Sequence, residues 1–402
     1  IGHSLWIECR SMKWLIVFCI FFAGLDAKSL AVNTRAKAAL VMNADTGVVL
    51  YEKNGYTQAY PASTTKIATA LYALSEKKLD LQSSVLVSAE AVRRNPGKRT
   101  DDTPSHWMES DATIMGLVKG ERLTLDALFH GMLLISGNDA ANVIGETASG
   151  SVPKFVEELN QYLFSIGCKS TRFMNPHGYH HPHHVSTPYD LCLMFKKGLE
   201  SPSFRQIMSR STYLRPKSNK RAEEEICSFN QLMNPTKKIF YPKAIGGKTG
   251  FHSLAGRCFV TAATHEGRTL ILCLLGCEKN NERFEEARRI FEVAFAEKKV
   301  ERLFIPGSQR FTKEIVGAKD KLTASIKKNL SMSFFPSEEP EVKAYIHWNP
   351  TTLPIAKGSV VGEVRIVDDR GVVVISESLV AMDDVKGTFL HKIKESFKWL
   401  YR

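Results

Sequence analysis

The chain has 402 residues, with 54 Lys and Arg against 42 Asp and Glu for a formal net charge of +12, and 44% hydrophobic and 24% charged residues. This balance excludes a disordered chain, a collagen-like repeat and a polytopic membrane protein, and at about 100 to 200 residues per domain it predicts two to three domains. The basic excess points to an anionic partner, whether nucleic acid, a membrane surface or a wall polymer, and charge alone does not choose among them.

Met12-Lys13 and the apolar run from Trp14 through Ala23 read as a secretory signal, with Ala23, Gly24 and Ala27 offering cleavage near Lys28 and residues 1–11 lying upstream of it. The run is too short for a comfortable membrane span. Cys19 follows Phe18 rather than a small residue, which argues against a lipoprotein site. Beyond the signal remain Cys168, Cys192, Cys227, Cys258, Cys273 and Cys277, without a C-x-x-C pair. A zinc ribbon is therefore excluded, and the thiols are expected to serve as small apolar core residues. Cys273 and Cys277 fall in or beside one strand-like run, about 13 Å apart, too far to bridge each other.

Residues 38–42 and 48–51 are apolar runs around the turn Asn43-Ala44-Asp45-Thr46-Gly47, which predicts a hairpin. Residues 63–79 predict a helix, with Ile67, Ala70, Leu71 and Leu74 apolar and Lys77 and Lys78 in the last turn. Helical patterns follow at 123–134 and 154–166, and the polar stretch 216–238 reads as loops. Strands are expected at 244–249, 257–263 and 270–275, the last two joined by His265-Glu266-Gly267, before an amphipathic helix over 281–296 that presents Phe284, Ala287, Ile290, Phe291 and Ala294 on one face. This order predicts an α+β fold, an antiparallel sheet covered by helices. From about residue 307 the runs 331–335, 342–348, 360–367 and 372–375 predict a small separate all-β domain. Residues 388–402 close the chain as a short amphipathic helix: Leu390, Ile393, Phe397, Leu400 and Tyr401 form an apolar stripe beside Lys392, Lys394, Lys398 and Arg402. That pattern suits an in-plane anchor on the inner-membrane surface, the alternative being a cap on the β domain.

Three motifs carry the chemistry: Ser63-Thr64-Thr65-Lys66, Ser136-Gly137-Asn138 and Lys248-Thr249-Gly250. Ser-x-x-Lys recurs at Ser75, Ser151 and Ser325, so context must separate them. Ser63 opens a predicted helix, where free N–H groups and the dipole stabilise developing negative charge. Lys66, three residues on, can act as its base if its pKa falls, and Lys248 would supply the neighbouring cation that lowers it. Ser75 sits at the far end of that helix, Ser151 has Pro153 within its motif and Ser325 lies in the β domain.

The ordered triplet resembles the penicillin-binding proteins and serine β-lactamases. Within them the chain is most similar to the D-alanyl-D-alanine carboxypeptidases, the low-molecular-mass penicillin-binding proteins. The likeness rests on Pro61-Ala62-Ser63-Thr64-Thr65-Lys66, Ser136-Gly137-Asn138-Asp139-Ala140, Asn175-Pro176-His177-Gly178 followed by Ser186-Thr187, and Gly247-Lys248-Thr249-Gly250, with the β domain and terminal helix besides. It implies a β-lactamase/penicillin-binding-protein-like fold. It also implies the division 1–27 upstream residues and signal peptide, 28–298 catalytic domain, 299–387 β domain and 388–402 membrane-anchoring helix.

The same resemblance implies the roles. Ser63 is the acylated nucleophile, Lys66 its base, Ser136 a proton relay to the leaving D-alanine and Asn138 a holder of the substrate amide. Lys248 and Thr249 bind substrate on an edge strand, where Gly250 lets the substrate backbone approach. The N–H groups of Ser63 and Phe251 form the oxyanion hole, and Arg283 receives the terminal carboxylate. Phe251 departs from relatives with His or Tyr at that place, which touches side-chain contributions to deacylation but not the backbone donor. No cofactor is implied. Tyr179-His180-His181-Pro182-His183-His184 lacks metal-ligand spacing and reads as a loop.

The expected partners are peptidoglycan stem peptides, β-lactams and a membrane surface, with the enzyme exported to the periplasm. Rival readings are a D,D-endopeptidase, whose relatives usually lack the β domain, and a non-catalytic penicillin-binding wall protein. No helix-turn-helix, zinc-finger or aromatic RNA motif supports nucleic-acid binding.

Overall fold

The computed structural model describes residues 29–391 and 393. The expected signal segment and most of the helix expected over 388–402 lie outside the described residues. Two compact units emerge, Ser29–Glu297 and the described part of Lys298–Arg402.

The first unit opens with the hairpin β1 (Ala38–Asn43) and β2 (Val49–Lys53). A 3₁₀ turn, Ala62–Thr65, then leads into α1 (Lys66–Leu71), which loosens into a π turn at Tyr72–Glu76. After β3 (Ser84–Leu86) and β4 (Arg122–Thr124) come α2 (Leu125–Leu134), α3 (Asn138–Ser149) and α4 (Val152–Ser165). Next are α5 (Pro188–Leu199), α6 (Pro202–Met208) and the small ladder of β5 (Thr212–Arg215) and β6 (Glu224–Cys227). The long strands β7 (Ala244–His252), β8 (Gly256–His265) and β9 (Arg268–Cys277) precede α7 (Glu282–Ala296).

Local chemistry sets the helix starts. Thr124, Ser151, Thr187 and Ser201 are extended residues whose hydroxyls accept from the N–H three positions on, and proline occupies the first turn in the last three cases. The cap at Ser151 is the work of one of the recurrent Ser-x-x-Lys serines.

The main sheet has the order β2-β1-β9-β8-β7 and is antiparallel throughout, which leaves β7 as an edge. Its side chains alternate between two cores. Leu40, Met42, Val260, Ile271 and Cys273 pack among α1, α2, α3 and α5, while Val41, Phe259, Leu270, Leu272 and Leu274 pack against Phe284, Ala287, Ile290, Phe291 and Ala294 of α7. Burial on both faces is why these strands read as unbroken apolar runs. Five of the cysteines are buried free thiols, as expected of apolar core residues, but Cys227 is exposed on the short β5–β6 ladder, which covers nothing on that side.

The second unit holds β10 (Val300–Ile305), β11 (Arg310–Lys313), β12 (Leu322–Ile326), β13 (Leu330–Phe334), β14 (Val342–Trp348), β15 (Val360–Asp368) and β16 (Val373–Ala381). A sheet of order β11-β12-β16-β15-β14 and a β10-β13 ladder enclose their own core, centred on Leu322, Val364, Ile366 and Leu379. At its end the Thr388 hydroxyl accepts from His391 N–H, and Phe389 and Leu390 are 77% and 72% exposed. No helix among the described residues is long and apolar enough to cross a membrane.

Leu272 is fully buried and pairs with Val41 and Thr261 at the centre of the main sheet. Leu272→Ala should lower the unfolding free energy by about 2–5 kcal/mol in urea titration. Val316→Ala, at a residue 96% exposed, should change it by less than about 0.5 kcal/mol.

Candidate active site

The nucleophile motif does not start an α-helix, as the sequence led us to expect. Ser63 lies in the 3₁₀ turn, and α1 begins only at Lys66. The hydroxyls of Thr64 and Thr65 bond back to the carbonyls of Pro61 and Ala62 at 2.7 and 2.8 Å, competing with helical pairing. Ala62 is left-handed at φ +48°.

Lys66 follows one turn on, fully buried. Its Nζ lies 3.1 Å from Ser63 Oγ and donates to Asn138 Oδ1 and to the His177 carbonyl, both at 2.7 Å. Burial, and then the charge of Lys248, hold this amine well below the usual lysine range, with Asp139 opposing. Ser136, left-handed at φ +65° and almost buried, occupies the corner between α2 and α3, so that Asn138 becomes the first residue of α3.

The neighbouring Asp139 carboxylate accepts from the N–H groups of Met115, Gly116, Leu117 and Ala140 at 2.8 to 2.9 Å. It thereby ties the 115–117 loop to the start of α3. Burial raises its pKa while those backbone donors pull the other way. Neither this tie nor the use of the His177 main chain is visible in the sequence, although an Asp in a first helical turn hints at the former.

The third motif lies on the edge strand β7. Lys248 is 1% exposed, donates to the Thr249 carbonyl at 2.8 Å and titrates at about 7 because of burial and then the charge of Arg283. Gly250 stands against the nucleophile turn. A Cβ there would stand 2.9 Å from Ser63 N and 3.0 Å from the Pro61 carbonyl, so the missing side chain lets β7 approach the nucleophile turn itself. Phe251 is 58% exposed with the Arg257 guanidinium 4.7 Å from its ring centroid. Arg283, in the first turn of α7, donates to the Gly250 carbonyl at 3.3 Å and is held below the usual arginine range by burial.

All the singled-out residues thus fall on the nucleophile turn, the α2–α3 corner, β7 or the start of α7. The histidine run is a loop whose members separate. His180 meets Tyr60 edge-on at 4.8 Å and His252 at 5.3 Å, whereas His184 is buried under the nucleophile turn. Among the described residues no three His, Cys, Asp or Glu side chains are grouped to hold a metal ion.

A family model described as D-alanyl-D-alanine carboxypeptidase matches residues 26–279. D-alanyl-D-alanine carboxypeptidase DacF of Bacillus subtilis is 28% identical over 373 residues, which cover 91% of this chain and 90% of that protein. D-alanyl-D-alanine carboxypeptidase DacB2 of Mycobacterium tuberculosis is 31% identical over 266 residues, covering 65% of this chain and 82% of that protein. The crystal structure of penicillin binding protein 5 from Haemophilus influenzae matches with a TM-score of 0.61 at 26% identity, covering 88% of this chain and 98% of that one. With a buried lysine beside Ser63, a penicillin-binding-protein-like sheet and helices, and an appended β unit, the chain belongs to the D-alanyl-D-alanine carboxypeptidase family of serine hydrolases.

Proposed function

We propose that the protein removes the terminal D-alanine from peptidoglycan stem peptides through an acyl-enzyme on Ser63, and that β-lactams acylate the same oxygen. The observation that carries this reading is the surroundings of Lys66 Nζ. Two of its neighbours, Asn138 Oδ1 and the His177 carbonyl, accept from it. A neutral amine has two protons for those acceptors and one lone pair left over for the Ser63 hydroxyl at 3.1 Å. Lys66 then takes the Ser63 proton as Oγ attacks the penultimate carbonyl carbon. Negative charge gathers on the carbonyl oxygen, facing the N–H groups of Ser63 and Phe251. The amide C–N bond breaks as Ser136 passes its proton to the departing amine and takes up the one that Lys66 carries, and water later hydrolyses the ester. Thr249 and Asn138 hold the substrate amide groups, and Lys248 and Arg283 make the crevice cationic where a terminal carboxylate would lie.

Ser63→Ala should abolish the penicillin adduct seen by intact mass. Lys66→Arg should stay folded but lose acylation, because a guanidinium cannot be deprotonated in a protein; near-normal acylation in that variant would remove Lys66 as the base. In wild type the acylation rate should fall as pH drops through the lowered Lys66 pKa, since the protonated amine has no lone pair to offer.

Arg283→Ala should weaken turnover of peptides ending in free D-alanine by about 1.5–3 kcal/mol, the range for hydrogen bonds to charged groups. Amidated peptides should lose much less, and equal losses on both would take Arg283 out of the site.

The exposed Phe389 and Leu390 support a further part of the reading, an exported enzyme held on the outer face of the cytoplasmic membrane by residues 388–402. Truncation after Gly387 should move the protein from the membrane pellet to the soluble fraction while leaving D-alanine release from a soluble peptide intact. Pelleting of the truncated chain would place the anchor elsewhere.

A further inference from the structure

His184, the last member of the histidine run, is 2% exposed and stacks on Phe173 with ring centroids 4.8 Å apart. Its Nδ1 accepts from Met174 N–H at 3.1 Å, so that nitrogen carries no proton and the neutral ring bears its hydrogen on Nε2. Burial, followed by the neighbouring His252, His181, His180 and Lys66, pushes its pKa down to about 3, in keeping with a neutral ring at working pH.

Nε2 lies 2.8 Å from Thr65 Oγ1, which in turn lies 2.8 Å from the Ala62 carbonyl. With the ring donating to the hydroxyl oxygen, the single hydroxyl proton goes to Ala62. The direction of donation is fixed along the whole series: Met174 N–H to His184, His184 Nε2–H to Thr65, Thr65 O–H to the Ala62 carbonyl.

That carbonyl belongs to the peptide unit whose N–H is that of Ser63. In a planar trans peptide the two groups point to opposite sides, so holding the Ala62 oxygen inward turns the Ser63 N–H outward. The Ser63 nitrogen lies at the close approach of β7, where a Cβ on Gly250 would meet it at 2.9 Å. Gly178, at φ +89°, closes the inner side: a Cβ there would fall 1.9 Å from the Ala62 oxygen and 2.9 Å from Thr65 Oγ1. The left-handed Ala62 is therefore held by a donor series and a wall of backbone.

We propose that His184 is a positioning residue for acylation: through Thr65 it fixes and polarises the Ala62–Ser63 peptide and so aims the Ser63 N–H at the oxyanion. The proposal rests on the reading of that N–H as an oxyanion donor. Each bond in such a series strengthens the next, which makes the terminal N–H a better donor as well as a better aimed one.

The test uses the full chain, with active sites counted by covalent penicillin adduct. The acylation rate constant and the preceding dissociation constant are then measured per active site in wild type, Thr65→Val, Thr65→Ser, His184→Leu and His184→Gln. Thr65→Val and His184→Leu should lose about ten-fold or more in the rate constant, a part of what deleting an oxyanion donor costs, with the dissociation constant unchanged. Thr65→Ser, which keeps the hydroxyl, and His184→Gln, which keeps a donor to it, should recover most of the loss. Wild-type rate constants per active site in both Thr65→Val and His184→Leu would overturn the proposal.

Nitrogen-15 NMR of histidine-labelled wild type tests the donor order without any variant. It should show His184 neutral with its proton on Nε2 between pH 5 and 8, and a proton on Nδ1 or a charged ring would overturn the proposal. Absence of any adduct on Ser63 of the wild type would instead overturn the functional reading beneath it.

Discussion

A lysine amine with no access to water is the constraint around which the first unit is arranged. An ammonium in that position would cost several kcal/mol in lost hydration, which favours the neutral amine. Neutrality alone does not suffice, because an unpaired buried N–H is itself costly. Its acceptors come from two distant stretches, the first residue of α3 and the turn at His177, while the amine stands on α1. Three segments remote in sequence must meet within one hydrogen-bond length, and Asp139 and Asn175 extend the requirement outward. The first pins α3 to the 115–117 loop, and the second accepts from Gly178 N–H at 2.7 Å. The chemistry assigned to Lys66 thus depends on tertiary packing more than on its spacing from Ser63.

Two of the five described non-glycine residues with positive φ lie in this neighbourhood. They are Ala62, directly before Ser63, and Ser136, itself a motif residue, and both adopt left-handed conformations. Conformations of this kind cost of order 1–3 kcal/mol each and persist only where the surroundings over-determine them. At Ala62 the surroundings are known in detail: Thr65 on its carbonyl, and Gly178 and Gly250 with no room for a side chain on either side. Gly250, expected to let a substrate backbone approach, also admits the backbone of the nucleophile turn. The edge of β7 that no described strand pairs with is the side on which the proposed substrate strand would lie.

The parts of this architecture that were legible in the sequence are those in which a local pattern carries the whole instruction. The apolar face of α7, the turn at His265-Glu266-Gly267 and the three motifs are of that kind. The α5 helix was not legible because its start, Ser186-Thr187-Pro188, was absorbed into a motif. β6 hid in a polar stretch because its pairing with β5 is held by backbone bonds rather than by a buried face. The role of the His177 carbonyl was unreadable in principle, since any residue has one. The inward position of His184 was not legible for a different reason: among adjacent histidines, the one that faces inward is chosen by the direction of the chain, which spacing does not reveal.

Every group placed at the site lies between Pro61 and Arg283, within the unit Ser29–Glu297. The second unit has a separate core of Leu322, Val364, Ile366 and Leu379, so it does not depend on the first for burial of its apolar surface. None of the groups named for the chemistry at Ser63 comes from its described residues. What it does carry is the start of the amphipathic segment, where Phe389 and Leu390 leave apolar surface in solvent directly after the Thr388 cap. On the proposed reading a bilayer interface would cover that surface, leaving acyl transfer to the first unit and placement of the enzyme against its insoluble substrate to the second.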